Sequence, residues 1–277
     1  MDNPLKKMIN KFGLPRIIIA GFFILLVIGA SAFQMNMPQF FGDILRRWGM
    51  FGILALAMVP AVQCGIGLNF GISMGIVGGL LGGIIVIQLN IAQNPSLVAI
   101  HPLFAAWVAI LVAILIGVVL ATGIGYLYGL LLNRVKGSEM TVTTYVGFSV
   151  IAFMNMVWML LPFDNGELIW PNAGKGMRNT ISLASSFSEV MNKTMAFGMG
   201  DFLFPTGLLL FFFLMCFLVW LFMRSKTGMA MTAAGANPMF AKAAGINVNK
   251  MRLIGTTIST VLAAVGILVY AQGFGFM

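Results

Sequence analysis

The sequence predicts an all-α, polytopic membrane fold, and three observations carry that expectation. Hydrophobic residues fill 60% of the 277 positions and charged residues only 8%, against roughly 25% charged residues in a soluble domain. Several apolar runs approach or exceed the ~20 residues with which a helix crosses a bilayer. Those runs are continuous, without the apolar–polar alternation that a transmembrane barrel needs. About seven crossings fit the chain, as one transmembrane domain over residues 1–277.

The chain opens on a basic stretch, residues 1–16, with Lys6, Lys7, Lys11 and Arg16. No small-residue cleavage site follows, so it reads as a retained cytoplasmic end rather than a signal peptide. Residues 17–33 form the first span. Residues 34–48, with Pro38, Asp43, Arg46 and Arg47, are amphipathic and fit a short helix lying in the interface. The apolar, glycine-rich tract 49–91 is long enough for two crossings, 49–64 and 71–89.

Between those crossings lies Gln63-Cys64-Gly65-Ile66-Gly67-Leu68-Asn69-Phe70-Gly71. The polar side chains of Gln63 and Asn69 and the glycines predict an interrupted helix. Non-helical backbone at membrane depth is tolerated only where it is buried in protein or lines a water-filled cavity. Gln63, Gly65, Gly67, Asn69 and Gly71 are therefore candidates for lining a translocation pathway. Gly67, Gly71, Gly75, Gly79 and Gly83 recur every four residues, the small-residue pattern that lets helix backbones approach closely. That stripe reads as a helix–helix seam, with contact to a solute as the alternative.

Residues 90–102 form a loop without Lys or Arg. The fourth span, 103–132, is longer than a ~30 Å hydrocarbon core requires and should tilt or project. A basic loop with Asn133, Arg134, Lys136 and Glu139 leads to the fifth span, 141–161. Residues 162–201 are the longest polar segment, and Asp164, Glu167, Glu189 and Asp201 in it are four of the seven acidic residues. Asn192-Lys193-Thr194 matches a glycosylation sequon and reads as a chance tripeptide. The sixth span is 202–223 and the seventh 253–272, joined by the basic loop 224–252. The last residues, 271–277, carry no basic tail or polar terminus, so a longer parent chain, truncated at its C-terminus, is expected.

A net charge of +9 reflects an excess of Lys and Arg in cytoplasmic loops and not nucleic-acid binding. Crossing parity from a cytoplasmic N-terminus puts Arg134, Lys136, Arg224, Lys226, Lys242, Lys250 and Arg252 inside, and the 90–102 and 162–201 loops outside. Arg46 and Arg47 land outside and are the misfit. Cys64 and Cys216 both sit in apolar runs, where packing is the expected role. The single His101 borders an apolar run and reads as interfacial.

The loop 224–252 carries the most specific local signal. Asn237 can cap a helix, Pro238 suits its first position, and Gly245 can take the left-handed conformation that ends it. The expectation is a helix of about two turns with Met239 and Phe240 on its surface, too short to be stable alone in water. Chemistry is otherwise sparse. No phosphate-binding loop of the Gly-x-x-x-x-Gly-Lys-Ser/Thr type occurs, so ATP hydrolysis by this chain is not expected. No metal-spaced cluster and no locally supported catalytic triad is present, and no catalytic or cofactor-binding residue is assigned. The middles of the spans hold no carboxylate, which weighs against an ion-coupled secondary carrier, the alternative reading.

The segment Thr232-Ala233-Ala234-Gly235-Ala236-Asn237-Pro238-Met239-Phe240-Ala241-Lys242-Ala243-Ala244-Gly245-Ile246-Asn247-Val248 closely resembles a loop of ABC importer permeases of the ribose/branched-chain amino acid type. Gly65-Ile66-Gly67-Leu68-Asn69-Phe70-Gly71 resembles the family's Gly-Ile-Asp-Leu-Ser-Val-Gly. Gly125-Tyr126-Leu127-Tyr128-Gly129-Leu130-Leu131 with Thr143-Thr144-Tyr145-Val146-Gly147 is a moderate match further on. Gly67-Leu68-Asn69 departs from the Asp-Leu-Ser of sugar-importing members, and Lys136-Gly137-Ser138-Glu139 replaces a common proline. The resemblance implies a permease subunit of a prokaryotic inner-membrane importer, paired with a second permease subunit. It also implies a cytoplasmic ATP-binding-cassette ATPase and an extracytoplasmic solute-binding protein as partners. Gly235, Asn237, Pro238, Met239, Phe240, Ala241 and Gly245 would then form the coupling helix and its flanks. A sugar or nucleoside is the first expectation for the solute and a branched-chain amino acid the second.

Overall fold

The computed structural model describes residues 13–169, 178, 180–199 and 202–277. Lys6, Lys7, Lys11 and Asp201 lie outside the described residues. Among those described, seven helical stretches are long and apolar enough to cross a membrane. The chain divides into two compact units, one with described residues 13–45, 197–199 and 202–204, and the other holding nearly all the rest.

In the smaller unit, helix α1 (Leu14–Ala32) has proline in its first turn and buries only Ala30. Helix α2 (Met37–Leu56) begins here. The expected interfacial helix over 34–48 is therefore not a separate element: its residues are the first half of a span that continues to Gln63. Gly49 is the one helix-weakening residue between Trp48 and Phe51, and no proline or capping signal accompanies it, so the backbone ladder runs on through it. Strands β1 (Phe197–Met199) and β2 (Phe202–Phe204) pair antiparallel, with Phe197 opposite Phe204. A Cβ on Gly42 would lie 2.9 Å from the Leu203 carbonyl oxygen.

The strand pair corrects the sixth span, which was expected to begin at residue 202. Helix α9 (Thr206–Arg224) starts only after Pro205. Proline drives the preceding residue out of the helical region, and Phe-Leu-Phe suits a strand.

In the larger unit, α3 (Met58–Gln63) completes the second span. A 3-10 turn (Phe70–Ile72) leads into α4 (Ser73–Gln88). The short α5 (Pro95–Val98) precedes α6 (Pro102–Arg134), whose amide of Leu103 is capped by His101 Nδ1 at 3.1 Å. Its 33 residues make a rod of roughly 50 Å, as the long apolar run predicts. Helix α7 (Glu139–Leu160) and the short α8 (Val190–Lys193) follow. After α9 come α10 (Lys226–Ala236), α11 (Pro238–Ala243) and α12 (Val248–Phe274).

Helix α4 lies between α6 and α12 and presents glycine to both. Toward α12, a Cβ on Gly79 would lie 2.5 Å from the Ala264 carbonyl oxygen, and one on Gly75 would strike the backbone of Thr260. Toward α6, a Cβ on Gly82 would lie 2.6 Å from the Ala113 carbonyl oxygen, and one on Gly78 3.1 Å from the Ala121 nitrogen. Gly75, Gly79 and Gly83 thus form a helix–helix seam, but Gly67 and Gly71 of the expected five-glycine stripe precede α4 and take no part in it. Gly78 and Gly82 add a second seam that a four-residue spacing does not reveal.

Part of the long polar segment enters the core. Leu168, Ile181, Leu183, Phe187, Val190 and Met191 are buried in the main core with Met50, Ile84, Leu208 and Leu268. Its backbone pairs with the end of the chain, Leu183 N donating to Gly275 O at 2.9 Å and Glu189 N to Gln272 O at 2.8 Å. Asn192 of the sequon is 2% exposed, which agrees with a chance tripeptide. Arg46 meets Glu189 at 3.7 Å, and Lys193 meets the same carboxylate at 3.1 Å. The basic residue that fits the charge rule worst therefore has a carboxylate beside it.

Candidate functional site

Two regions singled out by the sequence converge on the end of the larger unit that carries the basic loop. The first is the helix break. Helix α3 stops at Gln63, and Gly65 and Gly67 take positive φ of 78° and 91°, a conformation that a side chain opposes. Gln63, Gly65, Gly67 and Leu68 are exposed, whereas Cys64, Ile66 and Asn69 are buried.

Asn69 is fully buried, and both polar atoms of its side chain are hydrogen-bonded. Its Oδ1 accepts from Gly71 N at 3.1 Å and from Tyr128 Oη at 2.8 Å, and its Nδ2 donates to Ser259 Oγ at 3.1 Å. One side chain thus starts the turn before α4 and ties it to α6 and α12. Leaving such a buried group unpaired costs about 1–3 kcal/mol. A Cβ on Gly71 would overlap the Tyr128 hydroxyl, so glycine there admits the tyrosine. A Cβ on Gly67 would meet nothing within 4 Å.

The second region is the loop 224–252, and its local signals act as their chemistry dictates. Asn237 Oδ1 accepts from Met239 N at 3.1 Å and Phe240 N at 3.0 Å, and Pro238 opens α11. At the other end Gly245 has φ 81°, with Gly245 N donating to Lys242 O at 3.0 Å and Ile246 N to Ala241 O at 2.9 Å. This double closure is the left-handed helix stop. Ala241 is fully buried against Ala234 and Val248, while Met239 and Phe240 are 83% and 69% exposed. Part of the expected loop is helical: α10 is capped by Ser225 Oγ accepting from Gly228 N at 3.2 Å.

The two regions touch. A Cβ on Gly65 would lie 2.9 Å from Gly235 Cα, and one on Gly235 would lie 2.8 Å from Gly65 N. The turn between α10 and α11 therefore rests on the broken backbone after α3.

Residues with no role assigned from the sequence complete this end. Arg252 is 9% exposed; its Nη2 donates to Glu139 Oε1 and, at 3.4 Å, to Leu132 O. Glu139 Oε2 accepts from Gly137 N at 2.8 Å. Asn249 O accepts from Asn133 Nδ2 at 2.9 Å, and Asn249 Oδ1 accepts from Lys136 Nζ. Thr256, Ser259 and Thr260 are fully buried on one face of α12. Their spacing within an apolar span is the signal that could have found them. No group of His, Cys, Asp and Glu able to hold a metal occurs among the described residues.

Residues 40–277 match the family model described as the branched-chain amino acid transport system / permease component. No curated protein and no solved structure matches the chain. The match spans both converging regions and every helix of the larger unit, so this chain belongs to the family of branched-chain amino acid transport system permease components.

Proposed function

We propose that this chain is the membrane-spanning subunit of an ATP-driven importer of a small polar solute. It sits in a prokaryotic cell membrane with a cytoplasmic N-terminus, alongside a second permease subunit. An extracytoplasmic binding protein delivers the solute, and an ATP-binding-cassette ATPase docks from the cytoplasm on α11. The observation that carries this reading is the pair Met239 and Phe240, held in solvent by a helix whose opposite face, Ala241, is buried. Burying one such apolar side chain against a partner is worth ~1.5–3 kcal/mol. The caps at Asn237 and Gly245 preform the helix, so less ordering entropy is lost on docking.

The break at Gln63, Gly65, Gly67, Asn69 and Gly71 is proposed to border the pathway, with Asn69 holding it in place and the exposed Gln63 offered to solute. Sugars or nucleosides are favoured over branched-chain amino acids as cargo. An amino acid zwitterion calls for charged partners, and the middles of the spans hold no carboxylate.

Co-purification with the ATPase tests the assignment. The unsubstituted chain should retain the ATPase, and Phe240→Asp and Gly245→Pro should each release it. Retention of a coupled ATPase by both variants would refute docking on α11. Solute uptake without any ATPase would refute the importer reading.

A further inference from the structure

Helix α7 is the most loosely held long helix of the larger unit. Only Thr143 and Gly147 along it are buried, and Tyr145, Phe148, Met156 and Met159 are about seven-tenths exposed. Its ties to the rest of the unit are few and specific. At its first residue, Glu139 is bonded to Arg252 of α12. Roughly 12 Å further along the axis, Gly147 abuts the break: a Cβ there would lie 2.8 Å from Phe70 O, and Gly147 O accepts from Ser73 Oγ at 3.2 Å. Near its far end Trp158 leans on the main core.

Resting on the importer reading above, we infer that α7 is a lever worked by α11, with the Glu139–Arg252 pair as its handle and Gly147 as its fulcrum. The path is short and made of bonded groups. The left-handed stop at Gly245 hands α11 to Asn247, whose Oδ1 caps α12 by accepting from Lys250 N at 3.0 Å. The first turn of α12 then grips the 133–139 loop at Asn249 and Arg252. Displacement of α11 pulls this turn, and Arg252 passes the pull to α7. The glycine fulcrum lets α7 pivot directly on the Phe70 carbonyl, so the motion arrives at the broken helix. The pair is well suited to this task because both side chains are largely withdrawn from water, at 10% and 14% exposure. Breaking a buried pair by removing one partner leaves an uncompensated charge, so the two move together rather than part. Glu139 and Arg252 are positioning residues and touch no solute.

The test uses the full-length chain with its co-purified ATPase in nanodiscs. Spin labels are placed at Leu127→Cys on α6 and Met156→Cys on the far arm of α7, both exposed, in a Cys216→Ser background, with Cys64 buried. The expected result is a shift in the 127–156 distance between the nucleotide-free and ATP–vanadate-trapped states. Glu139→Gln should lose that shift while still binding the ATPase, and Arg252→Lys, which keeps the charge, should retain it. A shift that survives undiminished in both Glu139→Gln and Arg252→Met overturns the lever, as does no shift in the unsubstituted chain; both results leave the importer reading standing. Failure of the unsubstituted chain to bind the ATPase overturns the importer reading and the lever with it.

Discussion

Gly65 and Gly235 meet backbone to backbone. A Cβ on the first would lie 2.9 Å from the Cα of the second, and 3.2 Å from its carbonyl oxygen. The broken helix and the turn before α11 are thus in van der Waals contact with no side chain between them, so neither can shift without the other.

This contact can be separated from backbone strain. Gly65→Ala adds a collision to the cost of a left-handed residue, about 1–2 kcal/mol. Gly245→Ala bears the same cost at φ 81°, yet its Cβ would point into open space. Gly235→Ala bears the collision alone, since its φ is not positive. A Cβ on Gly235 would also overlap the Gln63 carbonyl oxygen, so thermal unfolding in detergent should place both Gly65→Ala and Gly235→Ala below Gly245→Ala. If Gly65→Ala melts with Gly245→Ala, the contact is not tight.

The Asn69 cluster makes a graded prediction. Tyr128→Phe removes one bond and leaves Asn69 Oδ1 still accepting from Gly71 N, so a loss of about 0.5–1.5 kcal/mol is expected. Asn69→Ala strips partners from Gly71 N, Tyr128 Oη and Ser259 Oγ together. It should cost at least about 2 kcal/mol more. Equal stabilities of the two variants, by denaturant titration in detergent, would show that Asn69 is not the hub.

Asn237→Ala probes how far α11 is preformed. Loss of both cap bonds should cost about 0.5–2 kcal/mol of local helix stability. Because Met239 and Phe240 remain, the proposed docking predicts that ATPase affinity should fall several-fold rather than vanish, whereas Phe240→Asp should abolish binding. Titration of the ATPase against each variant reads the difference. An unchanged affinity for Asn237→Ala would mean that the helix forms on docking.

Much of this architecture was legible in the order of residues. The spans were readable because a bilayer demands long apolar helices, and α11 was readable because its caps are local chemistry. Other features were not. Gly78 and Gly82 mattered only once α6 was seen on the far side of α4. The strand pair before Pro205 hid inside an apolar run that also reads as helix. The apolar residues of the 162–199 segment were too scattered to mark it as part of the core.

By itself, then, the sequence determined that the chain forms seven helical stretches long and apolar enough to cross a membrane, where helix α11 starts and stops, and which face of it stays in solvent. These depend on interactions spanning a few residues or on burial in bulk lipid. The tertiary structure alone decided that Gly235 rests on Gly65, that Tyr128 and Ser259 complete Asn69, and that Arg252 holds Glu139. Each joins residues more than fifty positions apart. Close approach across such a distance is set by how whole helices pack, which no local pattern encodes.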